Sequence, residues 1–355
     1  MHSRSSAPGT PWIDRPAAVL GWSALVILLL AYGLGLDRTF FIDQQNYLDN
    51  FSSAVSLDWV HTIFSGDSLL TSLVVGVFSE EVLWQIWVTA LGSILSPSAA
   101  VLVTVCAITL LLAQAVRRLP DPVFPLLIWI LVPLGFATTG LLLLRQGFAF
   151  ALLLYVSLRL NRPVLGSLLA AMIHSTFALP LAFAGVAWLC GRRQFVALLL
   201  AVALALVTAY LGGLLFELFG GRRLATYNVN EAGTNSILYV FGALLCSLPS
   251  LHRLVTPLAM PKAPPLPAGL DRTLNNLAVI HVGVIAFTVF SFFIFPLGAG
   301  RIGYLATLLL IPILPTMRRR DSISATMIYS LLLVYLVYLT IKAYLEGTYD
   351  ILFGR

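Results

Sequence analysis

The chain has 355 residues, which at ~150 residues per soluble domain would suggest two domains, but composition overrides that prior. Apolar types make up 59% of the chain and charged types 10%, against roughly 25% charge in an ordinary globular protein, so intrinsic disorder is excluded. Cys106, Cys190 and Cys246 form no CxxC pair and give no disulfide framework, and the net charge of +6 is scattered in small clusters rather than gathered into a nucleic-acid surface.

What remains is an all-α, polytopic membrane protein. A helix rises about 1.5 Å per residue, so about 20 apolar residues cross a ~30 Å hydrocarbon layer. Residues 1–16 are polar, with Arg4 and Arg15, and read as a cytoplasmic tail without a signal-peptide cleavage site. The first span is expected at 17–36. Residues 37–81 hold Asp37, Asp43, Asp49, Asp58, Asp67, Glu80 and Glu81 against a single Arg38, which fits the outer side of the membrane. Within that segment YLDNFSSAVSLDWVHTIF reads either as an interfacial helix, with Phe51, Val55 and Trp59 about one turn apart, or as a loop resting on the membrane.

Further apolar runs cover 82–95, 98–116, 123–142, the stretch around Arg145, 163–190 with His174 near its middle, and 195–216. Residues 217–235 are polar and glycine-containing, an expected outer loop. A short run at 236–251 is followed by the proline-rich segment 253–272, an expected cytoplasmic loop because proline lacks an amide donor. Spans are expected at 273–297, 301–317 and 323–345, and residues 348–355 form a tail. The whole of 17–347 reads as one transmembrane domain of about ten or eleven membrane segments. The interval 163–191 holds either one tilted span or a broken, re-entrant pair whose free backbone groups need cover from protein or water.

Arg117/Arg118, Arg159/Arg162, Arg192/Arg193, the 253–272 loop and Arg318–Arg320 are the basic clusters. Placing them inside leaves Arg145, His174, the 217–235 loop and Arg301 on or near the outer side. Ionisable groups at membrane depth are functional candidates by default. Arg145 follows four leucines, and an arginine in lipid costs roughly 2.5–3.5 kcal/mol even on lenient scales. It must face a cavity, a partner or an anion, or else snorkel to the surface. His174 stands in AAMIHSTFALP, either as a proton-handling group or as a hydrogen-bonded packing residue. Glu80 and Glu81 open the segment VLWQIW, as a base at a cavity mouth or as acids at a helix N-terminus. His2, His61, His174, His252 and His281 have no metal-ligand spacing.

Outer-side arginines run against the positive-inside bias. Arg145, Arg222, Arg223 and Arg301 together invite an anionic ligand at the outer membrane edge, and a lipid pyrophosphate fits the charge, the depth and bidentate geometry. Trp59, Trp84, Trp87, Tyr227 and Tyr304 offer sugar-stacking faces or act as interfacial anchors. No P-loop is present, so the chain carries no engine for ATP-driven transport.

In order and spacing these residues resemble the EpsG family, a branch of the Wzy-like polysaccharide polymerases. The matching elements are DQQNYLDNF with Asp43 and Tyr47, EVLW with Glu81 and Trp84, and LLLLRQGFAFALLL with Arg145 and Gln146. They continue with GSLLAAMIHSTFALP with His174 and Ser175, RRLATYN with Arg223 and Tyr227, and RIGYLATLLLIPILP with Arg301 and Tyr304. The resemblance spans roughly residues 30–320. The family often has proline where Val82 stands, and a small aliphatic pair where Gly147-Phe148 stand.

The resemblance implies an inner-membrane glycosyltransferase-type polymerase with a GT-C-like helical core. It would join lipid-pyrophosphate-linked oligosaccharides into exopolysaccharide, capsule or O-antigen on the outer face, with no cofactor. Arg145, His174 and Glu81 are the expected catalytic residues. Asp43, Tyr47, Gln146, Arg222, Arg223, Tyr227, Arg301 and Tyr304 are the expected substrate-binding ones. Implied partners are the polyprenyl-pyrophosphate-linked glycan, membrane lipids, and flippase and chain-length regulator proteins. The rival functions are a single-sugar polyprenyl-phosphate-dependent glycosyltransferase, a flippase or transporter, and a structural partner in a secretion assembly.

Overall fold

The computed structural model describes residues 16–35, 42–53, 81–132, 134–219, 236–255, 266–294, 302–317 and 323–345. Among these residues there is no strand, and the architecture is all-α. In chain order the helices are α1 (Pro16–Gly35), α2 (Ile42–Ser52), α3 (Val82–Gly92), α4 (Pro97–Val116) and α5 (Val123–Leu131). A wide π-helical segment, Leu134–Leu142, leads into α6 (Leu144–Leu160) and α7 (Pro163–Ile173). After a single 3₁₀ turn, Ser175–Phe177, come α8 (Ala178–Cys190), α9 (Gln194–Phe219), α10 (Ser236–Val255) and α11 (Ala268–Ile294). The chain ends in α12 (Tyr304–Leu308), α13 (Leu310–Met317) and α14 (Ile323–Leu345).

Local chemistry sets several of these starts. Proline at the first helical position costs no hydrogen bond, and it opens α1, α4 and α7. Ser96 caps α4 by accepting from the Ala99 amide. The carboxylate of Asp121 accepts from the Phe124 amide and so caps the first turn of α5.

Among the described residues five helices are long and apolar enough to cross a membrane: Pro16–Gly35, Pro97–Val116, Gln194–Gly212, Ala268–Ile294 and Ile323–Leu345. The pair Val123–Leu131 and Gly135–Leu142, bent by 81°, brings the number to six if it counts as one span. The other apolar runs are shorter helices: Val82–Gly92, Pro163–Ile173, Ser175–Cys190, Val240–Val255 and Tyr304–Met317. Against the expected ten or eleven membrane segments, the described residues hold five or six helices that cross by length, and the remaining apolar helices are shorter. The protein is a multi-pass membrane protein.

The long helices differ in burial. α4 and α11 are mostly enclosed, whereas α1 and α14 expose most of their surface, as lipid-facing helices do. α11 packs against α8, α9 and α10, and α6 packs against α4 and α7. Gly147 is where α6 meets the π-helical segment: a Cβ there would stand 1.6 Å from the Thr139 carbonyl oxygen, so only glycine permits the approach. At the bend, the Leu131 carbonyl accepts from the Thr340 hydroxyl of α14, which satisfies a backbone group that the hydrocarbon could not.

Polar ties gather several basic clusters at one end. The Arg118 guanidinium donates to the Leu158 and Arg159 carbonyls at 2.9 and 2.8 Å, closing the last turn of α6. Arg117 lies over the Trp22 ring of α1. Thr273 near the start of α11 donates to Asn161. Arg253 pairs with Asp271 and donates to Thr316, joining the end of α10, the start of α11 and the end of α13. Ser324 meets His252. From this basic end α6 runs about 25 Å, at 1.5 Å per residue, back to Arg145.

Two boundaries differ from expectation. The 253–272 loop is shorter, because α10 continues to Val255 and α11 begins at Ala268, so Arg253, Asp271 and Arg272 are helical. The ion pair between Arg253 and Asp271 explains why both helices carry on into the polar stretch. α9 extends to Phe219, into the expected 217–235 loop, and residues 220–235 lie outside the described residues. Within 37–81, α2 includes Phe51, whereas Val55 and Trp59 lie outside the described residues.

Candidate functional site

The site forms where helices begin or break. Glu81 sits immediately before α3 with φ 53° and ψ 53°, a left-handed conformation that glycine adopts readily and glutamate does not. Such strain persists only where the surroundings impose it, and it clusters at functional sites. Its carbonyl accepts from the Trp84 and Gln85 amides, so the backbone begins the helix while the side chain is turned inward. Glu81 is only 7% exposed.

Three elements converge on that carboxylate. Oε2 accepts from Nη1 of Arg145 at 2.7 Å. Oε1 accepts from the Ser175 amide at 3.1 Å and the Ser175 hydroxyl at 3.3 Å. His174 Nδ1 approaches the same oxygen to 3.4 Å. Of the two readings of 163–191, the helix is broken: α7 ends at Ile173, and His174 takes an extended conformation (φ −147°, ψ 118°) before the 3₁₀ turn. The amide freed by that break finds its acceptor in Glu81, which answers the demand that irregular backbone at membrane depth be satisfied by protein.

His174 serves its own break as well. Its Nδ1 accepts from the Thr176 amide at 3.3 Å, which assigns the ring proton to Nε2 in this arrangement. The contact between Nδ1 and Glu81 then joins two acceptors. A proton taken up at Nδ1 would displace the Thr176 amide and face the carboxylate. The Thr176 hydroxyl lies 3.2 Å from Nδ1 and 3.4 Å from the Tyr304 hydroxyl at the start of α12.

Arg145 stands at the first turn of α6, at the positive end of the helix dipole. Its amide donates to the Tyr47 hydroxyl at 3.5 Å. The Tyr47 ring is buried edge-on against Trp84, which also meets Phe51. Glu81 engages one guanidinium nitrogen and leaves the side chain 42% exposed, while Nε is buried without a partner among the described residues. A guanidinium offers five donors in a rigid fork, so one carboxylate does not exhaust it. The helix N-terminus and the half-open guanidinium together form a place for an anion.

Arg145, His174, Glu81, Tyr47 and Tyr304 therefore meet in one cluster. Gln146 follows Arg145, with its Oε1 buried and unpartnered among the described residues. Nothing is described of the Asp43 side chain, and Arg222, Arg223, Tyr227 and Arg301 lie outside the described residues, as does Glu80. Trp84 is 2% exposed and turns no face to a sugar, whereas Trp87 is partly buried, packs on Phe148 and donates to Thr104. Ser175 and Thr176 belong to the cluster as well, through Glu81 and His174. Their signal lay in the His-Ser-Thr run followed by Pro180, polar caps and a proline inside an apolar stretch. Among the described residues no group of three or more His, Cys, Asp or Glu is placed to hold a metal ion.

No curated protein and no solved structure gives a match to the chain. The sequence model of the EpsG family matches residues 22–352, nearly the whole chain and every element of the cluster. The protein therefore belongs to the EpsG family.

Proposed function

We propose that the protein polymerises lipid-pyrophosphate-linked oligosaccharide repeat units into exopolysaccharide, capsule or O-antigen at the outer face of the bacterial inner membrane. The observation that carries this reading is the half-open Arg145, held by buried Glu81 at the N-terminus of α6. Family membership supports a polysaccharide polymerase. The ties among Arg118, Arg159, Arg253 and their partners put these three arginines at the far end of α6, the end that the positive-inside bias favours for the cytoplasm.

The reaction would run as follows. A hydroxyl of the acceptor's non-reducing sugar attacks the anomeric carbon at the reducing end of the donor glycan. The new glycosidic C–O bond forms as the bond to the pyrophosphate breaks, and the lipid pyrophosphate leaves with the electron pair. Arg145 would stabilise the charge that develops on the leaving group, acting from a fixed position in a site of low dielectric. Glu81 is fully engaged as an acceptor, which suits it to fixing Arg145 and the Ser175 turn. His174 would receive the hydroxyl proton at Nδ1, giving up the Thr176 amide and then facing the Glu81 carboxylate. The leaving group is already activated, so no further energy source is needed.

The test is Arg145→Ala, with membrane abundance checked and glycan chain length measured in cells. Loss of the long-chain ladder at normal abundance is expected. Unchanged long chains would reject the reading. A single-sugar transferase would yield no polymer ladder even in the wild type, and a flippase would move glycans without new glycosidic bonds.

A further inference from the structure

We infer that His281, outside the cluster, is a positioning residue that holds Tyr304 in place through the Ala306 carbonyl; the inference rests on the proposed site.

His281 lies mid-way along α11 and is wholly buried. A leucine would pack there without the expense of an imidazole at membrane depth, so the ring needs a reason. Both nitrogens are engaged. Nε2 lies 2.6 Å from the Ala306 carbonyl oxygen, and a carbonyl only accepts, so Nε2 carries the proton. Nδ1 is then the acceptor, and the Ser250 hydroxyl of α10, 2.8 Å away, donates to it. The ring is fixed in one tautomer and ties α10, α11 and α12 together.

α12 has five residues, set between turns at Gly303 and Leu309, and the Leu309 amide bonds back to the Leu305 carbonyl, so the segment runs on into α13. The His281 contact ties the first turn of that segment to α11. Tyr304 is its first residue, and the Tyr304 hydroxyl meets Thr176 at 3.4 Å, near the limit of a hydrogen bond. A shift of α12 by a few tenths of an ångström breaks that contact and loosens the Thr176–His174 end of the cluster. The donation from His281 to Ala306, two residues beyond Tyr304, sets where α12 stands relative to α11.

The test uses full-length protein in cells that make the polymer, with polymer per membrane-inserted protein as the readout. Tyr304→Phe is expected to lower polymer, and His281→Leu to lower it by a similar factor, roughly tenfold. The double variant should fall no further than either single one. His281→Gln, whose amide can donate to the same carbonyl, should recover most of the loss. Multiplying effects in the double variant, no recovery with His281→Gln, full polymer from His281→Leu, or no effect of Tyr304→Phe would each overturn the proposal. If His281→Leu fails to insert, Ser250→Ala takes its place: a drop that vanishes in the Tyr304→Phe background supports the proposal, and a multiplying drop or none overturns it. Arg145→Ala run alongside separates the two failures, since it loses its polymer if the polymerase reading holds, whatever His281 does.

Discussion

Glu81 and Arg145, 64 residues apart, meet at 2.7 Å between Oε2 and Nη1, and each is held by a helix start. Glu81 is buried while Arg145 is half-open, so the pair is a support with one free side. Two substitutions separate its parts. Glu81→Gln keeps the shape but removes the charge that steadies Arg145 and weakens the acceptor for the Ser175 amide. Polymer yield is expected to fall by about 10²-fold, the scale of losing one preorganised donor. Arg145→Lys keeps the charge but loses the planar fork, so it should recover only a small part of wild-type chain length. Polymer from Glu81→Gln equal to wild type would remove Glu81 from the site.

The close approach at Gly147 gives a second prediction. Gly147→Ala would drive a Cβ to 1.6 Å from the Thr139 carbonyl, and backbone on both sides has to move. The turn that presents Arg145 lies immediately before it. Strongly reduced membrane abundance, or inactive protein at normal abundance, is expected. Gly185→Ala in α8, with open space around its Cα, should match wild type in both measures and serves as the control. Equal abundance and activity for the two variants would contradict the packing of α6 on the π-helical segment.

At the other end, Arg253 is 4% exposed and its charge is met by Asp271. Removing one partner of a buried pair leaves an uncompensated charge and costs about 3–5 kcal/mol, whereas replacing both with apolar groups is often neutral. Asp271 is itself partly exposed, so the lower end of that range applies. Asp271→Ala should lower the thermal unfolding temperature in detergent more than the double change Arg253→Met with Asp271→Leu. The reverse order would show that the pair does not tie α10 to α11.

Much of this fold could be read from residues alone. The span at 323–345 and the start of α4 follow from hydropathy and from Ser96-Pro97, and Arg145, His174 and Glu81 stand out because polar groups at depth are costly. The breaks were harder to read. LLLLRQGFAF is apolar on both sides of Arg145, so nothing local says that the helix begins at Leu144. The same holds at Ile173, where the run continues through His174 and the break is stabilised by a carboxylate 94 positions away in sequence. Likewise, Arg253 looks like one more loop arginine until Asp271 and Thr316 meet it. Periodicity reports which face is apolar, but partners distant in sequence decide where an apolar run stops being helix.

The orientation of the cluster yields the last prediction. α2 lies on the cluster side, since the Tyr47 hydroxyl receives the Arg145 amide, and Asn50 is exposed on that helix. Ile323, 83% exposed, opens α14 beside the basic end, where Ser324 meets His252 next to Arg253. Basic residues favour the cytoplasmic side, so the two positions should face opposite compartments. In a background with Cys106, Cys190 and Cys246 replaced, Asn50→Cys should react in intact cells or spheroplasts with a maleimide that cannot cross the membrane. Ile323→Cys should react only after the membrane is permeabilised. Labelling of both without permeabilisation would break the link between the basic end and the cytoplasm. Labelling in the reverse order would turn the Arg145 cluster toward the cytoplasm, and a polymerase working on outward-facing lipid-linked glycans would no longer fit.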